Sequence, residues 1–151
     1  NVFEFIGGRT DMKELTLIPI VSGGEDDGVP APKMMSVEIG NYPIYMPQSE
    51  LGGYVMEDLE LTKEKAVATY RQEGAVQISH PNLILMDEEG KNLDFAAFYD
   101  SSYDRETGKI TITLTFKDVS EEDIAKVKKV GYFTRSMKLN EDEAVRIKLT
   151  E

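Results

Sequence analysis

The chain of 151 residues contains no cysteine, no tryptophan and a single histidine. Without cysteine there can be no disulfide, no thiol nucleophile and no zinc–thiolate site. The compartment stays open, because many exported bacterial proteins also avoid cysteine. The lack of tryptophan removes the largest flat aromatic from any sugar-binding platform. No apolar run approaches the ~20 residues that a membrane-spanning helix needs. No signal peptide is visible, and the chain starts at Asn1 instead of methionine, as a mature form or an excised piece would. Positive charge is scarce too: Lys and Arg number 17 against 28 Asp and Glu, a net charge of −11. That field repels phosphate backbones and anionic lipid heads, so nucleic acid and membrane surfaces are not expected partners. Its simplest consequence is solubility.

Catalytic constellations are missing for related reasons. His80 is followed by Pro81 and preceded by Ser79. In an extended chain Ser79 points to the opposite face, so the pair does not form a nucleophile with its base. A metal site built on His80 would have no second histidine. Two acidic clusters carry oxygen ligands: Glu25-Asp26-Asp27, and Asp87-Glu88-Glu89-Gly90 with Asn92 and Asp94. The second misses the spacing of a helix–loop–helix calcium loop and reads better as a solvated hairpin turn. Neither is expected to hold a metal. With 28 acids, no pair can be singled out for glycoside hydrolysis. Gly7-Gly8, Gly23-Gly24 and Gly52-Gly53 lack the lysine or helix start of a phosphate-cradling loop. No enzyme activity and no cofactor are expected.

What is present is β-strand pattern. Lys109 to Lys117 reads K-I-T-I-T-L-T-F-K. Ile110, Ile112, Leu114 and Phe116 fall on one parity, the threonines and lysines on the other. Successive strand side chains face opposite ways, so this stretch has one dry and one wet face. Leu15–Val21 is a second strand, placed at an edge or beside a bulge by Pro19. Ser22–Pro32 is a loop. Met34–Ile39 and Tyr42–Pro47 flank the turn signal Gly40-Asn41 and suggest an irregular hairpin. Tyr54–Lys63 is a strand with Leu59 and Leu61 inward, Ala66–Arg71 continues extended, and Glu73-Gly74 turns into a short strand at Ala75–Ser79. Leu83–Met86 suits a strand buried on both faces. Leu93–Tyr99 follows. Tyr132–Leu139 is extended, and Ala144–Thr150 closes the chain with Val145, Ile147 and Leu149 inward.

One helix is expected, across Ser120–Lys129. Ser120 is its cap, Glu121, Glu122 and Asp123 fill the first turn, and Gly131 ends it. Short strands, polar turns and one short helix, with no βαβ rhythm, point to a mainly β fold: an antiparallel β-sandwich as one domain over 1–151, with a closed barrel as the alternative.

The second half carries a resemblance. L-E-L-T-K-E-K-A-V-A-T-Y (Leu59–Tyr70), L-I-L-M-D-E-E-G-K-N-L (Leu83–Leu93), G-K-I-T-I-T-L-T-F (Gly108–Phe116) and A-V-R-I-K-L (Ala144–Leu149) succeed one another. This order resembles the immunoglobulin-like extracytoplasmic region of membrane-anchored anti-sigma-factor-like proteins of Gram-positive bacteria. The resemblance implies an immunoglobulin-like sandwich on the outer face of a cell envelope. Any membrane attachment would run through a segment not present in this chain. The family brings no catalytic residue.

The expected function is therefore a non-enzymatic extracytoplasmic interaction or sensory module. The alternative is a carbohydrate-binding or adhesive module using Phe98, Tyr99, Tyr103, Tyr132 or Phe133. The expected site is the hairpin tip with Phe98, Tyr99, Asp100, Tyr103 and Asp104. Tyrosines offer apolar area with a hydroxyl, and the two acids favour a basic or hydroxyl-rich protein or glycan partner.

Overall fold

The computed structural model describes residues 13–22, 31–74, 81–135 and 137–148. The Glu25–Asp27 cluster, His80, the Ala75–Ser79 strand and Leu149 lie outside them. Along the described residues the strands are β1 (Glu14–Leu17), β2 (Ile20–Ser22), β3 (Met34–Glu38), β4 (Ile44–Ser49), β5 (Gly52–Leu61) and β6 (Lys65–Gly74). Then come β7 (Ile84–Met86), β8 (Ala97–Tyr103) and β9 (Lys109–Phe116), the helix α1 (Glu121–Ala125), and β10 (Lys129–Phe133), β11 (Met137–Leu139) and β12 (Val145–Lys148). The fold is mainly β. One sheet has five strands in the order β4-β5-β6-β9-β8, and another has three in the order β3-β10-β7. β1 pairs with β12 and β2 with β11. Every pairing is antiparallel.

The alternation of Lys109–Lys117 becomes β9, and Ile110 and Ile112 are buried. Leu114 and Phe116 are half-buried on the same face, while Thr111 and Thr113 are partly exposed on the other. Phe116 meets Phe95 edge-on at 5.5 Å between ring centroids. One hydrophobic cluster joins Met46, Tyr54, Met56, Tyr70 and Ile112 of the five-stranded sheet to Leu85, Val130 and Tyr132 of the three-stranded one. The expected inward placement of Leu59 and Leu61 holds in part, both being half-buried and packed on that cluster. The register slips between Met56 and Asp58, a one-residue bulge at Glu57. An extra residue reverses the parity. That is why Tyr54 and Met56 face inward at even positions and Leu59 and Leu61 at odd ones.

Several sequence expectations are corrected. β3 pairs with β10 and β4 with β5, so Gly40-Asn41 carries the chain from one sheet to the other and no β3–β4 hairpin exists. Glu73-Gly74 continues β6, with Gly74 opposite Gly52. Leu15–Val21 splits at Pro19 into β1 and β2, whose partners differ. The Leu93–Tyr99 strand starts only at Ala97 and runs on to Tyr103, so Phe98, Tyr99, Asp100 and Tyr103 lie within the strand and not at a hairpin tip. The helix stops at Ala125 with Lys126 as its C-cap, because Val127 turns into the core. Gly131 lies within β10 instead of ending a helix: the Met86 side chain lies where its Cβ would be. Val145 is 55% exposed and Ile147 39%, not inward, since among the described residues β12 pairs only with β1.

Candidate binding edge

Among the described residues, β8 and β4 are the two edges of the five-stranded sheet. An edge strand presents unpaired backbone N–H and C=O groups that a second chain can pair with, and proteins usually blunt such edges. β4 is blunted: Pro47 lies within it, and its register breaks between Pro47 and Ser49. β8 reads A-F-Y-D-S-S-Y, with no proline, no lysine and an unbroken register against β9 from Ala97↔Phe116 to Tyr103↔Ile110. Asp100 is its one charge.

Its aromatics stand out from the sheet. Phe98 is 78% exposed, Tyr99 54% and Tyr103 56%. Pairing sorts them by face. Tyr99, Ser101 and Tyr103 oppose Leu114, Ile112 and Ile110, on the face that carries the core. Phe98, Asp100 and Ser102 oppose Thr115, Thr113 and Thr111, on the other face. Tyr99 lies close enough to Tyr70 to help raise that buried phenol's pKa, a shift that burial dominates.

The turn after β8 is self-supported. Asp104 Oδ1 accepts the Glu106 N–H at 2.9 Å, and Oδ2 accepts the Thr107 hydroxyl at 2.7 Å. Those bonds, Thr107's first, hold the Asp104 carboxyl below the usual range. Its oxygens thus brace the turn, whereas Asp100 is exposed with neither neighbour on β8 charged. Beside Ala97 a shallow pocket of about 250 Å3 opens among Leu83, Phe95, Leu114 and Phe116, with Asn92 and Asp94 also in its lining.

Other residues singled out in the sequence do not join this edge. Tyr132 is buried in the core and Phe133 is half-buried. Asp87 Oδ1 accepts the Lys91 N–H at 2.8 Å, and Asp94 accepts from Asn92 at 2.7 Å, so both acids serve their own turn. Among the described residues no three His, Cys, Asp or Glu converge as metal ligands, and no helix is long and apolar enough to cross a membrane. No family model, curated protein or solved structure matches the chain.

Proposed function

We propose that this protein is a non-enzymatic interaction module, an immunoglobulin-like β-sandwich of a bacterial envelope, that binds an extended segment of a partner protein along β8. The observation that carries the reading is the unblunted edge of β8 with Phe98, Tyr99 and Tyr103 exposed. Strand addition draws affinity from main-chain hydrogen bonds and specificity from alternate side chains. The pocket beside Ala97 offers a place for one apolar partner side chain. Asp100, on a chain of net charge −11, favours a basic segment. The sandwich reading is supported by the core cluster shared between two antiparallel sheets. The extracytoplasmic reading rests on the family resemblance. The glycan alternative has less support: Phe98 lies on the opposite face from Tyr99 and Tyr103, so the three make no single platform, and Tyr132 is in the core.

The test is a peptide-display selection followed by NMR titration with the selected basic peptide. Binding is expected to shift the amides of 97–103 and to be lost in Phe98→Lys and Tyr99→Lys, since lysines protect edges. Shifts confined to another surface, or full binding by both variants, would sink the reading.

A further inference from the structure

A second site lies away from β8, where β4 ends and β10 hands over to β11. There the chain forms a half-open pocket of about 600 Å3, a size that suits small-molecule ligands. Lys33, Gln48, Glu50, Arg135, Met137 and Lys138 are among its lining residues. The Arg135 N–H donates to the Gln48 carbonyl at 2.6 Å, so the main chain locks these two residues together. Their side chains are not so satisfied. Gln48 is only 4% exposed, yet its Oε1 has no hydrogen-bond partner, and neither has Arg135 Nε. Buried polar groups are nearly always paired, so two orphans in the wall of one cavity call for an explanation.

Charge gives the direction. Among the described residues the lining holds Lys33, Arg135 and Lys138 against one acid, Glu50, on a protein whose acids outnumber its bases 28 to 17. The Arg135 guanidinium is also near the buried Tyr54 phenol, where it offsets part of the rise caused by burial. A guanidinium in a poorly solvated wall is well suited to a carboxylate. The Gln48 oxygen requires a donor.

We infer that this cavity binds a small carboxylate with an N–H or O–H donor beside its carboxyl group. The carboxylate oxygens accept from the Arg135 guanidinium, Lys33 supplies an attracting field, and the adjacent donor serves Gln48 Oε1. A peptide C-terminus and a uronic acid both have this chemistry.

Two probes separate those sources: N-acetyl-alanyl-alanine and glucuronate, each titrated into the protein by NMR and calorimetry. Their neutral counterparts, the dipeptide amide and glucose, are the controls. One carboxylate or the other should bind saturably, shift the amides of Gln48 and Arg135, and exceed its neutral counterpart by about tenfold or more, the factor that 1.4 kcal/mol represents. Arg135→Gln should lose the binding. Lys33 is exposed, so Lys33→Gln tests the field without disturbing packing and should weaken binding severalfold. The peptide binding alone assigns a chain terminus; glucuronate alone assigns an acidic sugar. The inference is overturned if neither probe binds, if neutral and charged forms bind equally, or if Lys33→Gln and Arg135→Gln leave binding unchanged. Loss of peptide capture at β8 has no bearing on these outcomes.

Discussion

Two glycines show how a single Cβ decides between backbone and side chain as its neighbour. A Cβ on Gly53 would run into the Met46 carbonyl oxygen and stand 2.8 Å from Pro47 Cα, both main-chain atoms of the paired edge strand. Neither can retreat without breaking the β4–β5 register. A Cβ on Gly131 would meet the end of the Met86 side chain, with Ile84 Cβ 3.3 Å away. A flexible methionine can swing aside. Gly53→Ala is therefore expected to cost about 3 kcal/mol, the upper part of the overpacking range, and Gly131→Ala about 1 kcal/mol. Urea denaturation of the two variants checks the order. Equal losses would mean that the β4 backbone yields as readily as a methionine.

At the scale of elements, α1 depends on its ends more than on its length. Its five residues are too few to be stable alone. Ser120 Oγ accepts the Asp123 N–H at 3.2 Å, and Asp123 Oδ2 accepts the Ser120 N–H at 3.3 Å, a reciprocal capping box. Lys126 Nζ donates to Asp123 Oδ1 at 2.9 Å. The Lys126 bond first, then the Ser120 bonds, hold the Asp123 carboxyl down to about 2. A folded pKa below the unfolded value near 3.9 gives stability that is complete above about pH 4 and fades as the pH falls through about 2. Lys126→Gln and Ser120→Ala should each raise the Asp123 pKa toward its ordinary value, read by NMR titration; no movement in either would remove the cap from the account. This start of the helix was legible in sequence, because capping is local. Its end was not, since Val127 is drawn into the core by distant strands. β9 was legible for the same local reason, a strict two-residue period; the exposure of Tyr99 and Tyr103 on β8 was not, because it depends on what packs beside that strand. The β3–β4 hairpin failed because a turn signal reverses the chain without choosing its partner, and β10 won that choice. The Gln48–Arg135 cavity had no local signal at all: its residues are far apart in sequence and meet only through pairing.

Across the whole molecule, the two sheets close over tyrosines. Tyr54 and Tyr70 meet edge-on at 6.4 Å between ring centroids, both buried in the shared cluster. Burial pushes the Tyr54 phenol up to about 12 despite Arg135, and pushes Tyr70 further, helped by Tyr99 and Tyr42. Unfolded tyrosine ionises near pH 10. Below that, both states hold the phenol protons and the folded state is undiminished. Between about pH 10 and 12 the unfolded chain releases protons that the folded chain keeps, so stability falls as pH rises. Wholly buried Tyr70 should account for about 1.4 kcal/mol per pH unit in that window. Its hydroxyl also has no hydrogen-bond partner, so it contributes desolvation cost without a bond in return. Tyr70→Phe keeps the edge-on ring and removes the orphan oxygen. The variant should be at least as stable as the parent at pH 7, by up to about 1 kcal/mol, because the desolvation cost of an unpaired hydroxyl is removed. It should also lose less stability between pH 10 and 12. Denaturant melts of both proteins at pH 7, 10 and 11.5 measure the two effects together. A variant that is weaker at pH 7, with the same alkaline slope as the parent, would mean that the Tyr70 hydroxyl is bonded and does not titrate as a buried phenol.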